Sequence, residues 1–138
     1  MQDQPFPSEI IAAVAEFLRT TVAPKSDPLL AFQAKVAANA LEMARRQLEQ
    51  APAADAAELE RLTRILGHGG DPHALNTELA ARIASGDLDL ASPGLADHLW
   101  ATTLAKLAVD QPTYAAYRVA LAEHGPGAGG ANNKITEE

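Results

Sequence analysis

The chain has no cysteine, and aromatic side chains fill only 4% of its 138 positions. Without thiols there are no disulfide frameworks, no thiol nucleophiles and no thiolate metal sites. With so few aromatics, an interior cannot be built from large rings. No apolar run approaches the roughly 20 residues a membrane helix needs. The first residues, Met1-Gln2-Asp3-Gln4-Pro5, carry no basic stretch and no apolar core of a signal peptide. The expectation is a cytoplasmic protein with no membrane partner. Positive charge is also scarce: 11 Lys+Arg face 18 Asp+Glu, a formal net charge of -7. Phosphate backbones are bound by clustered Lys and Arg, so a nucleic-acid partner is not expected. The acidity reads as solubility.

What the chain does have is alanine, 30 residues of it. Leu, Ile, Val and Phe together contribute another 30 (17, 5, 5 and 3). That is just above the roughly 20% below which chains tend not to fold. A core is therefore feasible if helices approach closely over alanine faces.

The pattern along the chain is helical. Ser8 reads as an N-cap, with Glu9 in the first turn and Ile10, Ile11, Val14, Phe17 and Leu18 at helical spacing. This helix should stop near Val22, because Ala23 precedes Pro24. Asp27-Pro28 opens a second helix running to about Gln50. Leu30, Ala34, Ala37, Leu41, Ala44 and Leu48 form one stripe on it, and Phe32, Val36, Ala40 and Met43 an adjoining one. Two stripes on one rod predict a central helix touching several others.

Pro52 should break the pattern before a third helix, about Ala54 to Leu66, with Leu59, Leu62, Ile65 and Leu66 facing in and Gly67 as its C-terminal cap. Asp71-Pro72 opens a fourth helix with Leu75, Leu79 and Ile83, ending at Gly86. Leu88 and Leu90 are expected to plug the core from a short connector. Ser92-Pro93 starts a fifth helix with Leu95, Leu99, Trp100, Leu104 and Leu107. Asp110-Gln111-Pro112 turns the chain and caps a sixth, whose inner face carries Tyr114, Tyr117 and Leu121.

The prediction is all-α: a compact bundle of about six helices with a long central second helix. A single helical domain is expected over 1–124, followed by a flexible Gly-rich tail over 125–138.

Few motifs carry chemistry. Gly125-Pro126-Gly127-Ala128-Gly129-Gly130 matches a dinucleotide fingerprint in letters but follows a helix, so it reads as tail. Asp71, His73 and Asn76 have the D-x-H-x-x-N spacing of a kinase-like catalytic loop, yet Asp-Pro is equally a helix start and no Gly-rich nucleotide loop precedes it. His68, Asp71 and His73 could meet a metal but lie in a Gly-rich loop. No metal, cofactor or catalytic residue is assigned from these.

The richest stretch is Lys106 to Arg118, where Lys106, Asp110, Tyr114, Tyr117 and Arg118 crowd a helix–turn–helix. One reading is a polar pocket completed by Lys35 and Asn39 of the central helix, binding an acyl or phosphorylated metabolite. The other is a cap and satisfied phenols.

Three segments resemble a family of small, uncharacterised bacterial helical domains. They are Ala34-Lys35-Val36-Ala37-Ala38-Asn39-Ala40-Leu41, Leu75-Asn76 through Gly86-Asp87-Leu88-Asp89-Leu90, and Lys106 through Tyr114. The stretch from Pro5 to Leu18 fits too, so the likeness covers about residues 4–121. Gln111 stands where the family usually has Asn, and Lys35 where it usually has Arg, which weakens a bidentate anion clamp. Genes of such domains lie beside, or are fused to, aminoglycoside-phosphotransferase-like kinases and acyl-CoA dehydrogenases. The resemblance assigns no reaction. Its implied setting is acyl-CoA or phosphotransferase metabolism. Together with the absence of a strong catalytic constellation, it leads to the expectation of a non-catalytic accessory domain that docks through an Ala/Leu face on a kinase-like or dehydrogenase-like enzyme, or on itself as a homodimer.

Overall fold

The computed structural model describes residues 3–124, and every regular element among them is helical. The expected tail over 125–138, with its Gly125–Gly130 motif, lies outside the described residues. Among the described residues there are five α-helices rather than about six: α1 (Pro7–Phe17), α2 (Pro28–Leu66), α3 (Pro72–Ser85), α4 (Leu95–Asp110) and α5 (Ala115–His124). The chain divides into two compact units, one up to Pro52 and one from Ala53.

The count falls because the expected second and third helices are one. Pro52 lies inside α2 instead of ending it. Its ring costs the Leu48 carbonyl its helical donor. The residues around it, Ala51, Ala53 and Ala54, are the strongest helix formers, and they carry the helix through.

In the first unit, α1 starts two residues earlier than Ser8 predicts. Pro7 is its first residue, and the Glu9 carboxylate accepts the Phe6 N–H at 2.6 Å. The helix does not stop at Val22. It widens into a single π turn (Leu18–Val22), closed by the Ala23 N–H on the Leu18 carbonyl, and then tightens into a 3-10 turn (Ala23–Lys25). Pro24 opens that turn, where its missing N–H costs nothing. The buried apolar residues are Ala15, Ala23, Ala34 and Ala38, alanine at every position. Close approach of backbones is thus how this unit is made.

The second unit is leucine-based. Leu62, Leu66, Leu75, Leu79 and Leu95 form its core, with Leu59, Ile65 and Leu88 against them. Of the two connector leucines only Leu88 plugs the core; Leu90 is 73% exposed. The Asp71 carboxylate accepts the Ala74 N–H at 3.0 Å, and α3 ends on Gly86 at a φ of 81°, as the sequence predicts. Ser92-Pro93 does not start the fourth helix. Ser92 folds back on Asp89, whose carboxylate accepts the Ala91 and Ser92 N–H groups at 2.9 and 3.1 Å, and α4 begins at Leu95 after Gly94.

Candidate functional site

The seven residues singled out from sequence fall in two groups. Lys35 and Asn39 lie on α2 in the first unit. Lys106 and Asp110 on α4, Tyr114 before α5, and Tyr117 and Arg118 within it lie in the second. Among the described residues, no hydrogen bond or ion pair joins the side chains of any two of them. Asp110 is the exposed last residue of α4, and α5 does not begin until Ala115, so Asp110 is not its cap. Tyr114 and Leu121 are exposed rather than turned inward, while Tyr117 is half-buried.

Asn39 has a structural partner. The Arg19 guanidinium, carried on the π turn, donates to Asn39 Oδ1 at 3.1 Å and to the Ala38 carbonyl at 3.5 Å. It also faces Glu42 at 4.0 Å. Glu42 accepts from Arg45, which reaches Glu49 at 2.8 Å. A ladder of alternating charge therefore runs along α2, and the π turn supplies its first rung.

The D-x-H-x-x-N set resolves into local duties. Asp71 caps α3. Asn76 donates to Glu58 at 2.9 Å and to the Pro72 carbonyl at 3.1 Å, and His73 is exposed. His68 pairs with Glu78 at 3.0 Å. No three His, Asp or Glu groups among the described residues converge as metal ligands would.

The second unit holds a polar cluster that the sequence reading missed. Glu58 and Arg61 on α2, Asn76 on α3, and His98 and Thr102 on α4 form it. Asn76 ties α3 to α2 through Glu58, and Arg61 ties α2 to α4 through Thr102 at 3.5 Å. His98 lies at its heart, only 2% exposed. Its Nδ1 and the Arg61 Nε are buried without a partner among the described residues. An unpaired polar atom inside a protein costs about 1–3 kcal/mol. The cluster fixes how three helices meet.

The signal for His98 was present. Leu95, His98, Thr102, Ala105 and Val109 recur at helical spacing, and three of these five are buried. Hydropathy instead selects Leu99 and Trp100, both of which are exposed.

Burial holds the His98 imidazole below its ordinary value of 6.5, and the Arg61 charge acts the same way against the weaker pull of Glu58. The unfolded chain therefore takes up this proton first. Stability linked to His98 is complete above about pH 6.5 and falls as pH drops through the folded-state value, by up to about 1.4 kcal/mol per pH unit. A His98→Leu variant should lack that decline. Urea titrations of both proteins from pH 5 to 8 read it directly. A wild-type-minus-variant difference that stays flat below pH 6.5 would show His98 to be freely protonated in the fold.

Two helices also carry apolar stripes that face solvent. On α1, Phe6, Ile10, Val14 and Phe17 follow one another from cap to end, and all are exposed. On α2, Leu29, Phe32, Val36 and Met43 do the same, with Leu29 and Phe32 67% and 64% exposed. Single exposed apolar residues are ordinary, but a continuous stripe of large ones is characteristic of an interaction surface.

The model of one family, a domain of unknown function designated DUF6285, matches residues 24–114. No curated protein and no solved structure matches the chain.

Proposed function

Taking as premise that the chain belongs to the DUF6285 family, we propose that it is a non-catalytic docking domain that holds an enzyme partner through the apolar stripe of α1. The observation that carries this is the exposure of Phe6, Ile10, Val14 and Phe17 together on one short helix. Their i, i+4, i+8, i+11 spacing makes one face, suited to a groove that takes helical anchors. The resemblance to domains encoded beside phosphotransferase-like kinases and acyl-CoA dehydrogenases supports an enzyme of one of those classes as the partner.

A second reading, a site for an acyl or phosphorylated metabolite, is favoured by one feature. The side chains of Lys106, Asp110, Tyr114, Tyr117 and Arg118 make no hydrogen bond or ion pair with each other among the described residues. A cationic and phenolic surface is thereby left open beside the α4–α5 turn.

One experiment separates the readings. The purified chain should capture the kinase-like or dehydrogenase-like enzyme in a defined two-component pull-down. Ile10→Glu should lose the capture while its far-UV circular dichroism stays unchanged. CoA esters and nucleotides should leave its melting point unmoved. Failure to capture either enzyme overturns the docking proposal. A thermal shift with the small molecules, worth about 2.7 kcal/mol at a hundredfold excess over Kd, would establish the second reading.

A further inference from the structure

The stripe on α2 differs from that on α1 in its period. Leu29, Phe32, Val36, Asn39 and Met43 step by 3, 4, 3 and 4 residues, which is the seam of a two-stranded coiled coil. All five are exposed. In heptad terms Leu29, Val36 and Met43 occupy a, and Phe32 and Asn39 occupy d. Lys35 and Glu42 then flank the seam at successive g positions, with Gln33 and Ala40 at e.

We propose that this face of α2 binds a second copy of the same chain, antiparallel, in an isologous pair. Charge decides both the occupant and the direction. In an antiparallel pair, Val36 shares a layer with Asn39 of the other copy, and Phe32 with Met43. That register sets g against g, so Lys35 of each copy meets Glu42 of the other, twice by symmetry, as a further cation beside the Arg45 and Arg19 groups that Glu42 already faces. The e positions, Gln33 and Ala40, meet without charge. A parallel pair sets g against e, leaving Lys35 facing Ala40 and Glu42 facing Gln47 with no ion pair. The Phe32–Met43 layers add sulfur–aromatic contacts. Asn39 faces Val36 of the other copy rather than itself, and its side-chain oxygen is held by Arg19 of its own chain.

This face is independent of the α1 stripe, so either surface can fail without the other. Sedimentation equilibrium of the full chain should give a reversible dimer. Phe32→Glu should weaken it about thirtyfold or more, the loss of one central anchor. Lys35→Glu should weaken it a fewfold, and Gln47→Glu should leave it unchanged. Because the chain has no native cysteine, orientation can be read by crosslinking. Gln33→Cys and Ala40→Cys variants should form a disulfide with each other when mixed, and neither should crosslink efficiently alone. A strictly monomeric wild type at its highest soluble concentration overturns the proposal. So does a dimer indifferent to Phe32→Glu, or Ala40→Cys crosslinking to itself.

Discussion

Leu62→Ala is expected to destabilise the second unit by about 2–5 kcal/mol, with a value toward the upper end. Leu62 is fully buried at the centre of the leucine cluster, between Leu59, Ile65 and Leu66 of its own helix and the leucines of α3 and α4. Removing its branched end takes away the transfer free energy of three carbons and leaves a cavity that the surrounding helices can close only in part. Small domains have only about 5–15 kcal/mol in hand, so the loss is a large share of the total. The measurement is straightforward because the only Trp and both Tyr residues lie in this unit, so fluorescence reports on it alone. The urea midpoint should fall with little change in slope. Leu90→Ala is the matched control: the same atoms leave a side chain that is mostly in water, and the change should stay within about 0.5 kcal/mol. Similar losses at Leu62 and Leu90 would mean the leucine core is misplaced.

What the sequence made legible follows from how each feature is encoded. Helix caps are written locally, so Asp71 before Pro72 and the left-handed glycines Gly67 and Gly86 read correctly. The leucine core follows from period alone, as Leu62, Leu66, Leu75, Leu79 and Leu95 do. Pro52 was misread because a local penalty can be outvoted by alanine-rich flanks. The π turn had no local signature; it places Arg19 over Asn39, and only the tertiary contact explains it. The polar site is written in the sequence, but not in hydropathy. His98 and Thr102 share a face with Leu95, whereas apolar periodicity alone selects Leu99 and Trp100, which are exposed. Hydrophobic stripes also state what a helix could bury, not whether this chain covers it. Phe17, Phe32 and Val36 read as core and stand in solvent.

The first unit should respond to the opposite change. Ala38→Leu is expected to cost about 2–3 kcal/mol, though leucine is nearly as good a helix former as alanine and more hydrophobic. Ala38 has no exposed surface, and the Arg19 guanidinium, reaching from the π turn, bonds to its carbonyl and to Asn39 beside it. Three added carbons have no space there unless the segment packed against Ala38 moves away from α2. The Arg19 contacts to Asn39 and Glu42 would then open as well. Ala37→Leu, one residue earlier on the same helix and exposed, should change stability by no more than about 0.5 kcal/mol. Amide exchange over residues 34–42 is the appropriate readout, since this unit has no Trp or Tyr. If Ala38→Leu is as harmless as Ala37→Leu, the helices of this unit do not meet backbone to backbone. The same comparison explains the composition. One unit is stabilised by filling space with leucine and the other by leaving none to fill, and a chain with so few aromatics needs about as much alanine as it has larger aliphatics to do both.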